Sequence, residues 1–121
     1  MAVRRSLHRM GYRYRLHGKD LPGRPDVFLP RYRAVIFVHG CFWHGCEKCY
    51  RGARVPRSNR EYWLAKVERN RARDLRSIAS LEAAGWHVLV VWECETHNLG
   101  RLGGLLWGFM FGRIGRRRET R

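Results

Sequence analysis

Acidic residues are scarce in this chain: 10 Asp and Glu stand against 25 Lys and Arg in 121 residues, a formal net charge of +15. A balance so far from neutral points to a polyanionic partner. Lysine is nearly missing as well, found only at 19, 48 and 66. The positive charge is therefore almost all guanidinium, whose planar fork donates two parallel hydrogen bonds to a phosphate. A ribosomal-type protein or a genome-wide arginine bias would give the same balance. The aromatic residues interleaved with the charges favour nucleic acid.

Long apolar runs are absent too. MAVRRSLHRMGYRYRLHGK has no apolar stretch that could serve as a signal peptide; its Arg-rich, acid-poor character is that of a transit peptide, but the aromatic spacing continues straight through it. The stretch from Leu102 to Phe111 is too short and too glycine-rich for a membrane span. Internal repeats and long linkers are missing, so residues 1–121 are expected to form one domain. A hydrophobic content of 45% excludes a disordered chain. It suffices for one modest core, which a structural metal would help. The four cysteines, at 41, 46, 49 and 94, are expected in a reducing cytosol, where clustered cysteines read as metal ligands before disulfides.

The coarse pattern is that of a small α/β domain with a mixed sheet. Residues 2–10 predict a short helix stopped by Gly11. Tyr12 to Leu16 alternates as a half-buried strand. KDLPGRPD is a turn, and Asp26 to Leu29 is a short strand leaving it. AVIFV, from Ala34 to Val38, is a continuous apolar run and predicts a strand buried on both faces. Ser58 or Asn59 can cap a long helix that runs to about Ala84 and stops at Gly85. Its expected buried stripe is Trp63, Val67, Leu75, Ile78 and Leu81. Lys66, Asn70, Arg73 and Ser77 share a polar face. HVLVVW, from His87 to Trp92, is a second buried strand ending in Glu93-Cys94. From Leu99 onward a glycine-weakened helix leads into a solvated basic run.

The densest chemistry lies in HGCFWHGCEKCY, residues 39–50. Cys41, Cys46, Cys49 and the distant Cys94 suit a closed, tetrahedral, structural zinc site that uses every cysteine of the chain. Buried thiols are the plain alternative, and His44 or His39 could replace one ligand. Such a metal would pin a loop too polar to hold itself to the end of the last strand. Phe42 and Trp43 then either act as an apolar wedge that unstacks DNA bases or cover the zinc site or the sheet edge. His39 and His44 either bond structurally or move protons near neutral pH. Asp26 could hold a magnesium ion that keeps several waters. One carboxylate, a strand-end carbonyl and two histidines would make a workable phosphodiester-hydrolysis site.

Three stretches, LPGRPDVFLPRYRAVIFVHGCFWHGCEKCY, REYWLAKVERNRARDL and GWHVLVVWEC, resemble very short patch repair (Vsr-type) DNA mismatch endonucleases from about Tyr12 to Cys94. The resemblance implies a restriction-endonuclease-like fold of the PD-(D/E)xK superfamily, with helices flanking a mixed sheet and a structural zinc. It implies a magnesium-dependent enzyme that nicks double-stranded DNA 5′ to the T of a T:G mismatch, left by deamination of 5-methylcytosine. By position, Asp26 matches the magnesium-binding aspartate and Val38 the residue whose backbone carbonyl also reaches that metal. His39 and His44 match the active-site histidines, Phe42 and Trp43 the intercalating aromatics, and Cys41, Cys46, Cys49 and Cys94 the zinc ligands. Lys66 and Asn70 match DNA-contacting residues. A monomer in the bacterial cytoplasm, on the nucleoid and in company with mismatch-repair proteins, is the implied setting. Family members carry a longer N-terminal segment with an assisting acidic residue and a minor-groove apolar residue. MAVRRSLHRM shows neither in a recognisable place, and the tail 99–121 diverges. The competing expectation is accordingly a zinc-stabilised DNA-binding remnant that cuts nothing.

Overall fold

The computed structural model describes residues 2–40 and 58–115, with side chains through Phe111. Helix α1 (Ala2–Arg9) leads to strands β1 (Arg15–Leu16), β2 (Val27–Leu29) and β3 (Ala34–His39), then helix α2 (Arg60–Ala83), strand β4 (His87–Trp92) and helix α3 (Leu99–Trp107), which runs on as a π-helical stretch Gly108–Gly115. The sheet order is β1-β2-β3-β4; the first two pairings are antiparallel and β3 lies parallel to β4. This is the expected mixed α/β arrangement. Among the described residues no helix is long and apolar enough to cross a membrane.

Alternation along β3 explains the three layers. Ala34, Ile36 and the half-buried Val38 face a core completed by Val3 and Leu7 of α1 and by Leu102 and Leu106 of α3. Val35 and Phe37 face the other way, onto Leu81 and Ile78 of α2. A strand with both faces covered must be apolar at every position, which is why AVIFV runs unbroken. Each such side chain, fully withdrawn from water, contributes roughly 1.5–3 kcal/mol.

Three local expectations are corrected. The strand expected over Tyr12 to Leu16 is cut to Arg15–Leu16, because its partner β2 is itself confined between Pro25 and Pro30. Leu75, expected in the buried stripe of α2, is 68% exposed. The sheet-facing stripe passes instead through Asn70, Asp74, Ser77, Ile78 and Leu81, and one residue beyond Asp74 is about 100° further round the helix. Asn59 does occupy the N-cap, but in the left-handed region (φ 56°) and without a side-chain cap bond; capping geometry needs an extended backbone there. The stop at Gly85 is as expected: with φ 89° it lets the Trp86 N–H donate back to the Leu81 carbonyl at 2.9 Å.

Tyr12 meets Tyr32 edge to face, with ring centroids 5.4 Å apart. Burial, then the neighbouring Tyr32, holds the Tyr12 phenol above its ordinary value of 10.0. A folded-state value above the unfolded one means that the stabilisation is fully present below pH 10 and is lost as pH rises through the raised value. Tyr12→Phe is therefore expected to lose less stability than the parent above pH 10, measured by urea unfolding across that range.

Candidate active site

The site is built where β2 begins and where β3 and β4 end. The register pairs Val27 with Ile36 and Leu29 with Ala34, so continuing it two pairs sets Pro25 opposite Val38. Proline has no N–H to give the ladder, and the Pro25 carbonyl already accepts from the Gly18 N–H at 3.0 Å. The Val38 N–H turns instead to the Asp26 carboxylate, donating to Oδ2 at 2.7 Å. Within a strand the N–H and C=O of one residue point to the same side. The Val38 carbonyl thus also turns to the β2 side, across from a proline that has no donor for it.

Asp26 has the parity of Phe28, which packs on the α2 side of the sheet. His39 has the parity of Val35 and Phe37, on that same side. Carboxylate and imidazole therefore share a face as well as an end of the sheet. His39 is buried, at 7% exposure. Its ring packs against those of Phe37 and Trp92, with centroids 5.5 and 5.4 Å away. Its Nδ1 is 3.8 Å from Oδ2 of Asp74 on α2, close enough for charge attraction when the imidazole is protonated but too long for a direct hydrogen bond.

Asp74 is the residue that the sequence reading missed. A signal was there: it is an acid within the basic run RNRARDLR, and it follows Asn70 by four, on the face already marked by Lys66 and Asn70. Those two are half-buried. Together with Arg69, Arg73 and Arg76 they line an open groove of about 380 Å³ along α2, so the expected polar face is a basic surface beside the site. The Lys66 Nζ sits 6.0 Å from the centroid of the Trp63 ring.

Parallel pairing sets Trp92 beside His39. Past Trp92 the chain enters a 3₁₀ turn, Glu93–His97, steadied by the Trp92 N–H donating to Oε1 of Glu95 at 3.0 Å. Half-buried Cys94 lies in that turn, at the same end of the sheet as His39. Cys41, Phe42, Trp43, His44, Cys46 and Cys49 lie outside the described residues, in a segment that follows Gly40 directly in sequence. Among the described residues no three His, Cys, Asp or Glu side chains cluster as a metal site. For magnesium the donor chemistry fits: a carboxylate and a strand-end carbonyl are the hard oxygen donors that this ion takes, with water completing its shell. For zinc, Cys94 is the described one of the four cysteines expected as ligands, and four thiolates would suit that metal.

A profile of the family described as DNA mismatch endonuclease Vsr matches residues 1–51. The chain is 57% identical over 101 residues to the type II nicking enzyme V.XorIIP of Xanthomonas oryzae pv. oryzae, a match covering 84% of this chain and 73% of that one. It is 45% identical over 96 residues to the type II nicking enzyme V.NmeAIP of Neisseria meningitidis serogroup A, covering 79% and 67%. To the DNA mismatch endonuclease Vsr of Escherichia coli it is 49% identical over 92 residues, covering 76% and 58%.

Proposed function

Because this chain belongs to the Vsr family of DNA mismatch endonucleases, we propose that it nicks double-stranded DNA on the 5′ side of the T in a T:G mismatch. The observation that carries the proposal is the Asp26–Val38 bond at the end of β3, with His39 on the same face. A carboxylate oriented by a backbone N–H, a main-chain carbonyl turned the same way and a buried imidazole make a compact hydrolytic set. The mixed sheet flanked by helices supports a restriction-endonuclease-like reading of one domain over residues 1–121.

Asp26 and the Val38 carbonyl would hold a magnesium ion, which when bound stabilises charge developing on the scissile phosphate. The protein's own contribution is positional. The Val38 N–H fixes the Asp26 carboxylate, the rings of Phe37 and Trp92 pack against the His39 imidazole, and Asp74 faces its Nδ1 at 3.8 Å. His39 and His44 are the proposed proton-transfer groups, His44 for water activation. Phe42 and Trp43 are the proposed wedge at the mismatch, and Lys66 and Asn70, within the basic groove, the proposed DNA contacts. Cys41, Cys46, Cys49 and Cys94 are the proposed zinc ligands. Purified protein is expected to contain about one zinc per chain, measured by elemental analysis; folded protein without zinc refutes that set.

The deciding experiment is a nicking assay on a duplex with one T:G mismatch, beside a matched duplex, with and without magnesium. A nick 5′ to the T, on the mismatched duplex and only with magnesium, is expected. Binding without a nick would instead establish the non-cutting remnant, and equal cutting of both duplexes a nuclease of broader specificity. Asp74→Asn is expected to slow single-turnover nicking about 10–100-fold, the scale of losing an outer-shell carboxylate, while DNA affinity stays unchanged. Asp74→Glu should recover part of the rate, which a purely structural role would not predict.

A further inference from the structure

At the opposite end of the sheet from Asp26, an open cleft of about 480 Å³ is lined by Arg13, Tyr14, Arg15, Arg31 and Tyr32, among others. Register fixes its place. Arg15 pairs with Phe28 and Leu16 with Val27, so Tyr14 and Arg13 run beside Leu29 and Pro30, where β2 ends. Asp26 stands at the start of β2 and His39 at the end of β3. At about 3.3 Å per residue the two ends of β3 are roughly 17 Å apart.

The rings of the cleft are anchored and its charges are free to reach out. Tyr12, Tyr14 and Tyr32 all rest on the core beneath α1 and α3. Tyr12 props Tyr32 edge-on, and the Arg31 guanidinium lies 5.8 Å from the Tyr32 centroid. Arg13, Arg15 and Arg31 are exposed. Among the described residues no carboxylate lines the cleft. Three guanidiniums spread along an open wall suit phosphates spaced along a polymer rather than one small anion, and tyrosine faces beside them suit sugar or base rings.

A duplex engaged at the Asp26–His39 end, with its phosphates along the basic groove of α2, is met by a different part of the molecule. We infer that the cleft at the β1 edge is a second nucleic-acid site, gripping the backbone of a DNA segment other than the one presented to Asp26. The inference shares with the proposed function only the choice of DNA as partner. Such a site would let one protein molecule bridge two segments, and its grip would be independent of sequence and sensitive to salt.

Bridging is the readout. A T:G duplex is immobilised and loaded with protein, and a fluorescent matched duplex is added. The parent is expected to capture it. Arg13→Gln/Arg15→Gln/Arg31→Gln is expected to capture about tenfold less or worse, and to flatten the log–log salt dependence of capture by about 2–3, the share of three phosphate contacts. Its retention on the immobilised duplex and its circular dichroism should match the parent's. Should the triple variant fail to fold, Arg31→Gln alone, on the exposed turn after β2, is expected to act in the same direction. Equal capture by parent and folded variant overturns the inference, as does a parent that captures nothing or a cleft that binds polyglutamate and no duplex. Cleavage is not needed for the measurement. A protein that bridges through the cleft but never nicks leaves this inference standing and refutes the proposed nicking activity.

Discussion

Asp26→Asn is expected to keep its fold and lose the proposed nicking activity by about a thousandfold or more, the rate equivalent of several kcal/mol of transition-state stabilisation. The asparagine is isosteric, and its amide oxygen can still accept from the Val38 N–H that now donates to Oδ2 at 2.7 Å. What disappears is the negative charge and, with it, the proposed hold on magnesium. Thermal unfolding should move little, which separates this variant from Asp26→Ala, where the Val38 N–H loses its acceptor beside a proline. The assay is single-turnover nicking of the T:G duplex at saturating protein, with affinity measured alongside. Nicking at the parental rate by Asp26→Asn refutes the assignment of Asp26.

Gly23→Ala is expected to be the most destabilising single methyl addition in the turn that carries Asp26. Gly23 has φ 75°, a backbone conformation that resists any side chain, and a Cβ there would lie 2.8 Å from Cβ of Ser77 and 3.1 Å from Cε1 of Phe37. Backbone strain and overpacking together cost about 2–4 kcal/mol, or roughly 4 °C of Tm for each kcal/mol in a chain of this size. The clash is with the Cβ of Ser77, not only with its hydroxyl, so Ser77→Ala is not expected to rescue the variant. Differential scanning calorimetry of the single and double variants checks this, and an unchanged Tm in Gly23→Ala refutes it. Because the turn is pressed between α2 and β3, the same change should also slow nicking by shifting Asp26.

The frame of the molecule was legible wherever burial dictates the residue. AVIFV could be read as a strand because a segment covered on both faces tolerates nothing polar; HVLVVW is a strand as expected, but among its residues only Val91 is buried and the rest are half-buried. The end of α2 was legible in Gly85, and Asp26 in its proline-bounded turn. Pattern failed where tertiary neighbours overrule it. Leu75 satisfies helical spacing yet faces solvent, since the stripe beneath it is given to Asn70 and Asp74 for the site. The Tyr12–Leu16 alternation is strand-like, but a two-residue strand is all that a partner flanked by prolines can pair. Val38 could be named as a candidate ligand only through family resemblance, because a main-chain donor leaves no trace in side-chain chemistry. Asp74 was hidden among arginines for the opposite reason: its importance comes from a residue 35 positions away that only the β3–α2 packing brings to it.

The proline facing Val38 has one more consequence. An ordinary amide at residue 25 would let the two strands knit further and would occupy the Val38 carbonyl oxygen that now faces a proline. Cohesion and the proposed metal site therefore compete for a single atom, and a version of this chain selected for heat resistance at that point is expected to be tougher and to lose the proposed activity.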